Sequence, residues 1–192
     1  RTPELEILNF SYNNLSGIIP NFKMDKLHFL DLSSNNLSGT IPNFKMDKLR
    51  YLSLLRNKLS GFIPNFDLPL LETLYLSHNQ LEGIVPNNFN LPKIWGIDLS
   101  NNKLTGQIPV FNFINPSWIR LNNNNLDGSI PKLDYPNLTF LYLNNNNLSG
   151  CIPSIFKQNC TTITYGDISF NPLLSTQSWD DFCANQAGIC KD

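Results

Sequence analysis

The chain has 192 residues, of which 41% are hydrophobic and only 15% charged, and its formal net charge is −1. This length suits one domain or a stack of small repeats, and the hydrophobic content is ample for a core. The near-neutral charge argues against a nucleic-acid or anionic-membrane binder, which normally carries a clustered basic excess. The sequence contains no run of about 18 apolar residues, so it predicts no membrane-spanning helix.

One pattern, L-x-x-L-x-L-x-x-N-x-L-x-G-x-I-P, repeats along nearly the whole chain. Measured between its asparagines, the spacing is 22, 22, 22, 23, 22, 22 and 25 residues. A fixed period of this length predicts a solenoid, in which each turn buries its apolar face against the next. The turns start near residues 5, 27, 49, 71, 94, 116, 138 and 163.

The first turn shows the features that the others repeat. Its L-x-L segment predicts a short strand with two inward apolar side chains and outward residues between them, and such strands stack in parallel at about 4.8 Å. At the tight bend that follows, an asparagine amide can satisfy backbone groups that would otherwise be buried without partners. We therefore expect a ladder of asparagines: Asn13, Asn35, Asn57, Asn79, Asn102, Asn124, Asn146 and the degenerate Asn171.

The return half of each turn carries a glycine at a second bend and then a proline, which keeps the chain extended. The short outer segment, such as residues 43–48, predicts extended or turn structure rather than helix. A large apolar residue follows near each proline, and we expect these side chains to pack the outer side as a spine. Its predicted members are Phe22, Phe44, Phe66, Phe89, Phe111, Leu133 and Ile155.

The repeated motif resembles the leucine-rich repeat, specifically its plant-type subclass, from residue 5 to about 173. The resemblance implies a curved right-handed coil of about eight turns, with a parallel sheet on the concave face and little helix. It also implies a recognition role, as in receptor-kinase ectodomains and polygalacturonase-inhibitor-like proteins. The period is shorter than usual for the subclass, and the near-identity of residues 13–27 and 35–49 indicates a recent duplication.

The first coil has no recognisable cap or signal peptide before it. Leu5, Leu8 and Phe10 would leave an apolar coil end and an unpaired strand edge in water. We therefore expect either a preceding segment or another molecule to cover this end, including a second copy stacked head to tail.

The last coil is expected to be sealed by a cap over residues 174–192, after a solenoid of residues 1–173. Ser178–Phe182 predicts a short helix or turn, with Trp179 and Phe182 as plugs. Four cysteines allow three pairings, and the pairing of sequence neighbours, Cys151–Cys160 with Cys183–Cys190, is the preferred one. Zinc ligation is the alternative, but no C-x-x-C or partnering histidine supports it.

Disulfides and glycosylation signals indicate an extracellular or cell-surface location. The pattern N-x-[ST] gives six candidate N-glycosylation sites, several of which follow automatically from the letters of the repeat. They are Asn9, Asn14, Asn36, Asn137, Asn147 and Asn159.

The outward, variable strand positions are where binding is expected, because the repeated letters build the scaffold. An aromatic stripe beside a polar column suits peptide or glycan recognition. The alternative is that aromatic side chains fill a pleated strand surface whatever the function. The candidate ligand-binding residues are Phe29, Asp31, Tyr51, Ser53, Tyr75, Trp118, Arg120, Phe140, Tyr142 and Tyr165.

Catalysis is not predicted, and neither a metal nor a cofactor is expected. The two histidines, His28 and His78, lie on separate turns, and no nucleophile elbow, phosphate loop or metal-binding motif is present. The leading hypothesis is an extracellular module that binds a protein, peptide or polysaccharide on the concave face, with no nucleic-acid partner.

Two other hypotheses stay open. The first is a self-assembling surface or filament protein whose repeats stack head to tail. The second, ranked well below it, is ice binding through the polar column Asn101, Asn123 and Asn145. Tyr12, Arg56 and His78 interrupt that column in earlier turns.

Overall fold

The computed structural model describes residues 4–21 and 23–190. Phe22, the first predicted member of the spine, lies outside the described residues. The chain forms eight successive turns, and each turn contributes one strand to each of two parallel sheets. This confirms the predicted leucine-rich-repeat solenoid with little helix.

The first sheet consists of the predicted L-x-L strands, each paired in register with the strand one turn away. Ile7 pairs with Phe29, and Phe29 pairs with Tyr51, so equivalent positions form straight columns. The strands are β1 Ile7–Asn9, β3 Phe29–Asp31, β5 Tyr51–Ser53, β7 Thr73–Tyr75, β9 Gly96–Asp98, β11 Trp118–Arg120, β13 Phe140–Tyr142 and β15 Tyr165–Asp167.

A second sheet, which the sequence does not predict, follows the ladder asparagines. Every strand after the first carries a buried leucine, and in most turns the strand also carries a glycine with positive φ, such as Gly83 at +76°. Glycine and polar residues are turn signals in a sequence, but here they lie in short strands that pair with the next turn. The strands are β2 Ser16–Ile18, β4 Asn36–Gly39, β6 Lys58–Gly61, β8 Gln80–Ile84, β10 Lys103–Gln107, β12 Asn125–Gly128, β14 Asn147–Gly150 and β16 Leu173–Leu174.

The asparagine ladder connects neighbouring turns, as Asn57 shows. Its Nδ2 donates to the carbonyl oxygens of Leu32, Leu54 and Leu55 at 3.0, 3.2 and 3.3 Å. Its Oδ1 accepts from the backbone N–H of Leu37 at 3.0 Å. One side chain therefore satisfies the bend of its own turn and two groups of the preceding turn.

The other ladder members fall into two groups. Asn13 is exposed, and within residues 4–21 and 23–190 it bonds to its own turn alone, to the carbonyl oxygens of Phe10 and Ser11. The full inter-turn pattern recurs at Asn35, Asn79, Asn102, Asn124, Asn146 and Asn171.

The predicted spine is present, since Phe44, Phe66, Phe89, Phe111 and Leu133 are buried and Ile155 is half-buried. A second buried column lies two residues further along each turn: Met46, Leu68, Leu91, Phe113 and Tyr135. The Tyr135 hydroxyl donates to the carbonyl oxygen of Phe111 at 2.8 Å, so its one polar atom is satisfied inside the core.

The two helices are α1 Phe156–Asn159, which lies before the last strand of the first sheet, and α2 Trp179–Asn185, which lies in the C-terminal cap. Ser178 caps α2, since its Oγ accepts from the backbone N–H of Asp181 at 3.0 Å. Trp179 and Phe182 are buried against the last coil, as predicted.

The preferred cysteine pairing is wrong. The disulfides are Cys151–Cys190 and Cys160–Cys183, with Cα atoms 4.9 and 5.5 Å apart. The chain after α2 returns to the seventh turn, where Cys190 N donates to the carbonyl oxygen of Ile152 at 2.9 Å. The path of the chain after α2 therefore determines which cysteines lie close together, and the spacing of the cysteines in the sequence does not reveal this path.

Candidate functional site

Aromatic side chains of successive turns form a stripe across the outward face of the first sheet. The Phe29 and Tyr51 rings stack, with centroids 4.4 Å apart and planes 6° apart. Tyr51 contacts Tyr75 at 5.8 Å, and Tyr75 stacks on Trp118 at 5.3 Å. The contacts between β3, β5, β7 and β11 are thus unbroken, although β9 contributes no aromatic side chain to them.

Arg120 continues the stripe beyond Trp118. Its guanidinium carbon lies 5.5 Å from the Trp118 ring centroid and 5.6 Å from that of Tyr142, within the range of cation–π attraction. Its Nη1 also lies 3.8 Å from Oδ2 of Asp98. We define the aromatic stripe as Phe29, Tyr51, Tyr75, Trp118, Arg120 and Tyr142.

Trp118 is the least accessible member of the stripe. Only 7% of its surface is exposed, because the indole lies over Gly96 of the preceding turn. The sequence predicts Trp118 as a ligand-contacting residue, whereas the structure places its ring in the floor of the site.

Phe140 and Tyr165 form a separate stacked pair near the cap. Their centroids are 4.9 Å apart and their planes differ by 3°. Tyr165 is exposed, whereas Phe140 is half-buried. This pair extends the aromatic surface toward the C-terminal end of the first sheet.

The acidic residues of the first sheet have local structural partners. Oδ1 of Asp31, Asp98 and Asp167 each accepts a hydrogen bond from the backbone N–H of the serine two residues later, at 2.9, 3.0 and 2.9 Å. The letters D-x-S therefore mark a capped bend. Of the predicted site residues, Asp31 therefore caps a bend. The predicted site residue Ser53 is buried.

Two tyrosines of the stripe, Tyr51 and Tyr75, have phenols whose pKa is raised. Burial raises the pKa of the Tyr51 phenol, and the nearby Asp31 carboxylate adds to this rise. Burial also raises the pKa of Tyr75. Because the faces of these rings are engaged by their neighbours, we expect ring edges and hydroxyls to be presented to a ligand.

The candidate glycosylation sites differ in accessibility. Asn159 is buried, while Asn36 is half-buried and donates to Oδ1 of Asn14 at 2.8 Å. The exposed candidates are Asn9, Asn14, Asn137 and Asn147.

Residues 4–21 and 23–190 contain neither a metal-binding cluster nor a membrane-spanning helix. No group of three or more His, Cys, Asp or Glu side chains there is arranged to hold a metal ion. The helices of the same ranges are too short and too polar to cross a membrane.

Family models identify repeats in three parts of the chain. The model described as "Leucine Rich repeats (2 copies)" matches residues 3–46. The model described as "Leucine Rich Repeat" matches residues 70–91 and 137–159. No curated protein gives a significant match.

Among solved structures, the chain is similar to the Arabidopsis receptor kinase HAESA, at 32% identity and a TM-score of 0.74 over 86% of this chain and 29% of that one. It is also similar to PEPR1, crystallised with AtPEP1, at 30% identity and a TM-score of 0.71 over 81% and 23%. A plant ice-binding protein matches at 32% identity and a TM-score of 0.61 over 78% and 60%.

These matches and the two-sheet solenoid define the class: the chain belongs to the leucine-rich-repeat family, in its plant-type subclass. It spans less than a third of the length of the two receptor chains above.

Proposed function

We propose that this chain is an extracellular recognition module that binds a peptide or protein segment through the aromatic stripe. The observation that carries the proposal is the unbroken series of contacts from Phe29 to Tyr142, in which Arg120 lies within 6 Å of two rings. Tyr, Trp and Arg are the residues that most often dominate protein-binding energy.

The rigidity of the stripe supports binding. Each ring is held by a neighbour one or two turns away, and the strands beneath pair in register. Side chains that are already ordered lose little conformational freedom when a ligand binds. The stripe is therefore preorganised along its length.

Ring orientation favours a peptide over a polysaccharide at this site. Phe29–Tyr51 and Tyr75–Trp118 are stacked at 6° and 25°, so one face of each ring is covered by its partner. A sugar ring would need an open aromatic face, whereas a peptide can use ring edges, phenol hydroxyls and the Arg120 guanidinium. These groups match backbone carbonyls, carboxylates and apolar side chains.

The structural neighbours support the same class of ligand. The HAESA structure contains the peptide hormone IDA and the co-receptor SERK1, and the PEPR1 structure contains AtPEP1. The extracellular location is supported by two disulfides, which persist in oxidising compartments.

The geometry supports the two alternative functions less well. Head-to-tail assembly needs an open C-terminal coil, but Trp179 of the cap covers Gly166 in the last strand of the first sheet. For ice binding, the asparagines of the proposed column stand at left-handed positions, where asparagine is favoured for its backbone conformation alone. They are Asn101, Asn123 and Asn145 at φ 55–56°.

The experiment selects peptides from a random library on the oxidised protein and measures their affinity for variants. Tyr51→Ala and Arg120→Ala should each weaken binding about tenfold or more, which corresponds to about 1.4 kcal/mol. Phe62→Ala is the matched control, since Phe62 is 70% exposed and lies just after β6 of the second sheet. Unchanged affinity in both stripe variants would contradict the proposal.

A further inference from the structure

A second surface lies beside the first sheet, on the N-terminal side of its strands. It is a groove of about 520 Å³. None of its lining residues is charged. We call it the flank groove and define it by Trp95, Asn115, Ser117, Asn137, Thr139 and Thr164.

The sheet positions one row of this groove. The backbone N–H of Ser117 donates to the carbonyl oxygen of Trp95 at 2.7 Å, and that of Thr139 donates to the carbonyl oxygen of Ser117 at 2.7 Å. These bonds continue the parallel pairing one residue before each strand. The side chains of Trp95, Ser117 and Thr139 are therefore held on successive turns at about 4.8 Å spacing.

Trp95 supplies a rigid apolar surface in this polar groove. It is 55% exposed, and its ring packs at right angles to Trp118, with centroids 6.2 Å apart. A buried neighbour thus fixes the orientation of an indole that is more than half open to solvent. An exposed, ordered aromatic ring of this kind marks a binding site more often than an isolated surface apolar residue does.

The opposite row of the groove is built from amides. Asn137 Nδ2 donates to Asn115 Oδ1 at 2.8 Å, which fixes both side chains. The side-chain N–H groups of Asn115 and the side-chain Oδ1 of Asn137 have no hydrogen-bond partner among the described residues and remain for a ligand. The Thr139 hydroxyl donates to the carbonyl oxygen of Asn137 at 3.3 Å, which leaves its lone pairs as acceptors.

We propose that the flank groove binds a neutral oligosaccharide. One sugar ring lies with its C–H face on the Trp95 indole, and its hydroxyls bond to the Asn115 and Asn137 amides and to the threonine hydroxyls. Sugars combine an apolar ring face with many hydroxyls, and this groove offers both kinds of partner without a charge. This site adjoins the aromatic stripe, whose Trp118 packs against Trp95, but the proposal does not depend on peptide binding to the stripe.

The test uses the full chain secreted to a bacterial periplasm, where disulfides form and Asn137 carries no glycan. Neutral hexasaccharides of the cello-, xylo-, manno- and chito- series are titrated while the three tryptophan indole N–H signals are followed by NMR. At least one sugar should shift the Trp95 signal, while Trp179, buried where the cap packs on the last coil, stays unchanged.

Variants complete the test. Trp95→Ala should weaken binding of that sugar at least tenfold, whereas Phe62→Ala should leave it unchanged. Thr139→Val keeps the side-chain shape and removes only the hydroxyl, so it should weaken binding severalfold even if Trp95→Ala folds poorly. No Trp95 shift with any of the four sugars, or unchanged affinity in Thr139→Val and in a folded Trp95→Ala, would overturn the proposal.

Discussion

The indole of Trp118 occupies the space that a side chain at Gly96 would need. A Cβ built on Gly96 would stand 1.7 Å from Cε2 of Trp118. Gly96 has no left-handed backbone conformation, so space alone requires a glycine here. The same relationship recurs at the cap, where a Cβ on Gly166 would stand 2.4 Å from Cδ2 of Trp179. At both positions the strand has no side chain, and a tryptophan of another element occupies the space that a side chain would fill.

Gly96→Ala should therefore displace the Trp118 ring and separate it from Tyr75. We expect the free energy of unfolding to fall by about 1–3 kcal/mol, as for overpacked cores, measured by urea denaturation. The same substitution in a Trp118→Ala background should have a much smaller effect, because the clash is gone. An equal loss in both backgrounds would show that the two residues do not compete for this space.

Asn57→Ala should destabilise the solenoid far more than Asn13→Ala. The first change leaves buried backbone groups of two turns without partners, which should cost on the order of 2–3 kcal/mol. Asn13 is exposed and bonds within its own turn alone in the described part of the chain, so its loss should stay within about 0.5 kcal/mol. Denaturant midpoints of the two variants make the comparison, and similar losses would contradict the inter-turn role of the ladder.

The cap disulfides can be mapped directly. Proteolysis without reduction should yield linked peptides containing Cys151 with Cys190 and Cys160 with Cys183. Their sequence separations of 39 and 23 residues predict about 3–4 kcal/mol of stabilisation from each. Paired Cys→Ser variants should therefore both lower the melting temperature. A linked peptide joining Cys151 to Cys160 would contradict the structure of the cap.

Ionisation of the Tyr135 phenol should make the free energy of unfolding depend on pH in the alkaline range. Burial raises the pKa of its phenol to about 12, whereas the unfolded chain titrates near 10. Between these values the unfolded state has lost the proton and the native state has kept it, so stability falls as pH rises from about 10 to 12. The contribution is on the order of 2 kcal/mol.

Tyr135→Phe isolates this contribution. At pH 7 it should lower the free energy of unfolding by about 1 kcal/mol, because the bond to the Phe111 carbonyl is lost. At pH 11 the difference from the wild-type protein should shrink, since phenylalanine has no proton to lose. Urea denaturation at both pH values measures it, and a constant difference would argue against a perturbed Tyr135.

Much of this architecture follows from the residues that repeat in each turn of the motif. The strands, the asparagine ladder and the spine each depend on residues within one turn and its copies, so period and residue type predict them. The second sheet is different, because serine and glycine in N-L-S-G have turn chemistry and pair as strands only when a neighbouring turn supplies partners. The cysteine pairing depends on how the cap returns to the seventh turn, which no local pattern encodes.

The candidate site is predictable only in part. Register places Phe29 beside Tyr51, whereas Tyr75 lies in the neighbouring column opposite Ser53, and the sequence identifies all three as outward strand residues. The burial of Trp118 depends on Gly96, 22 residues earlier, which stands opposite it in the neighbouring strand. The sequences of the two strands, G-I-D and W-I-R, reveal this only when their turns are stacked. The sequence does not identify Trp95, a residue of the proposed flank groove, because Trp95 precedes its strand, although Ser117 and Thr139 stand at the same position of the next two turns.

The central claim is that peptide recognition occurs on the aromatic stripe, and tyrosine-selective NMR tests it most directly. A library-selected peptide is added to protein carrying ¹³C-labelled tyrosine rings. Tyr51, Tyr75 and Tyr142 should shift with a common affinity, while exposed Tyr12 outside the stripe and core Tyr135 stay unchanged. Shifts confined to Tyr12, or binding with no shift at Tyr51, Tyr75 and Tyr142, would contradict the account.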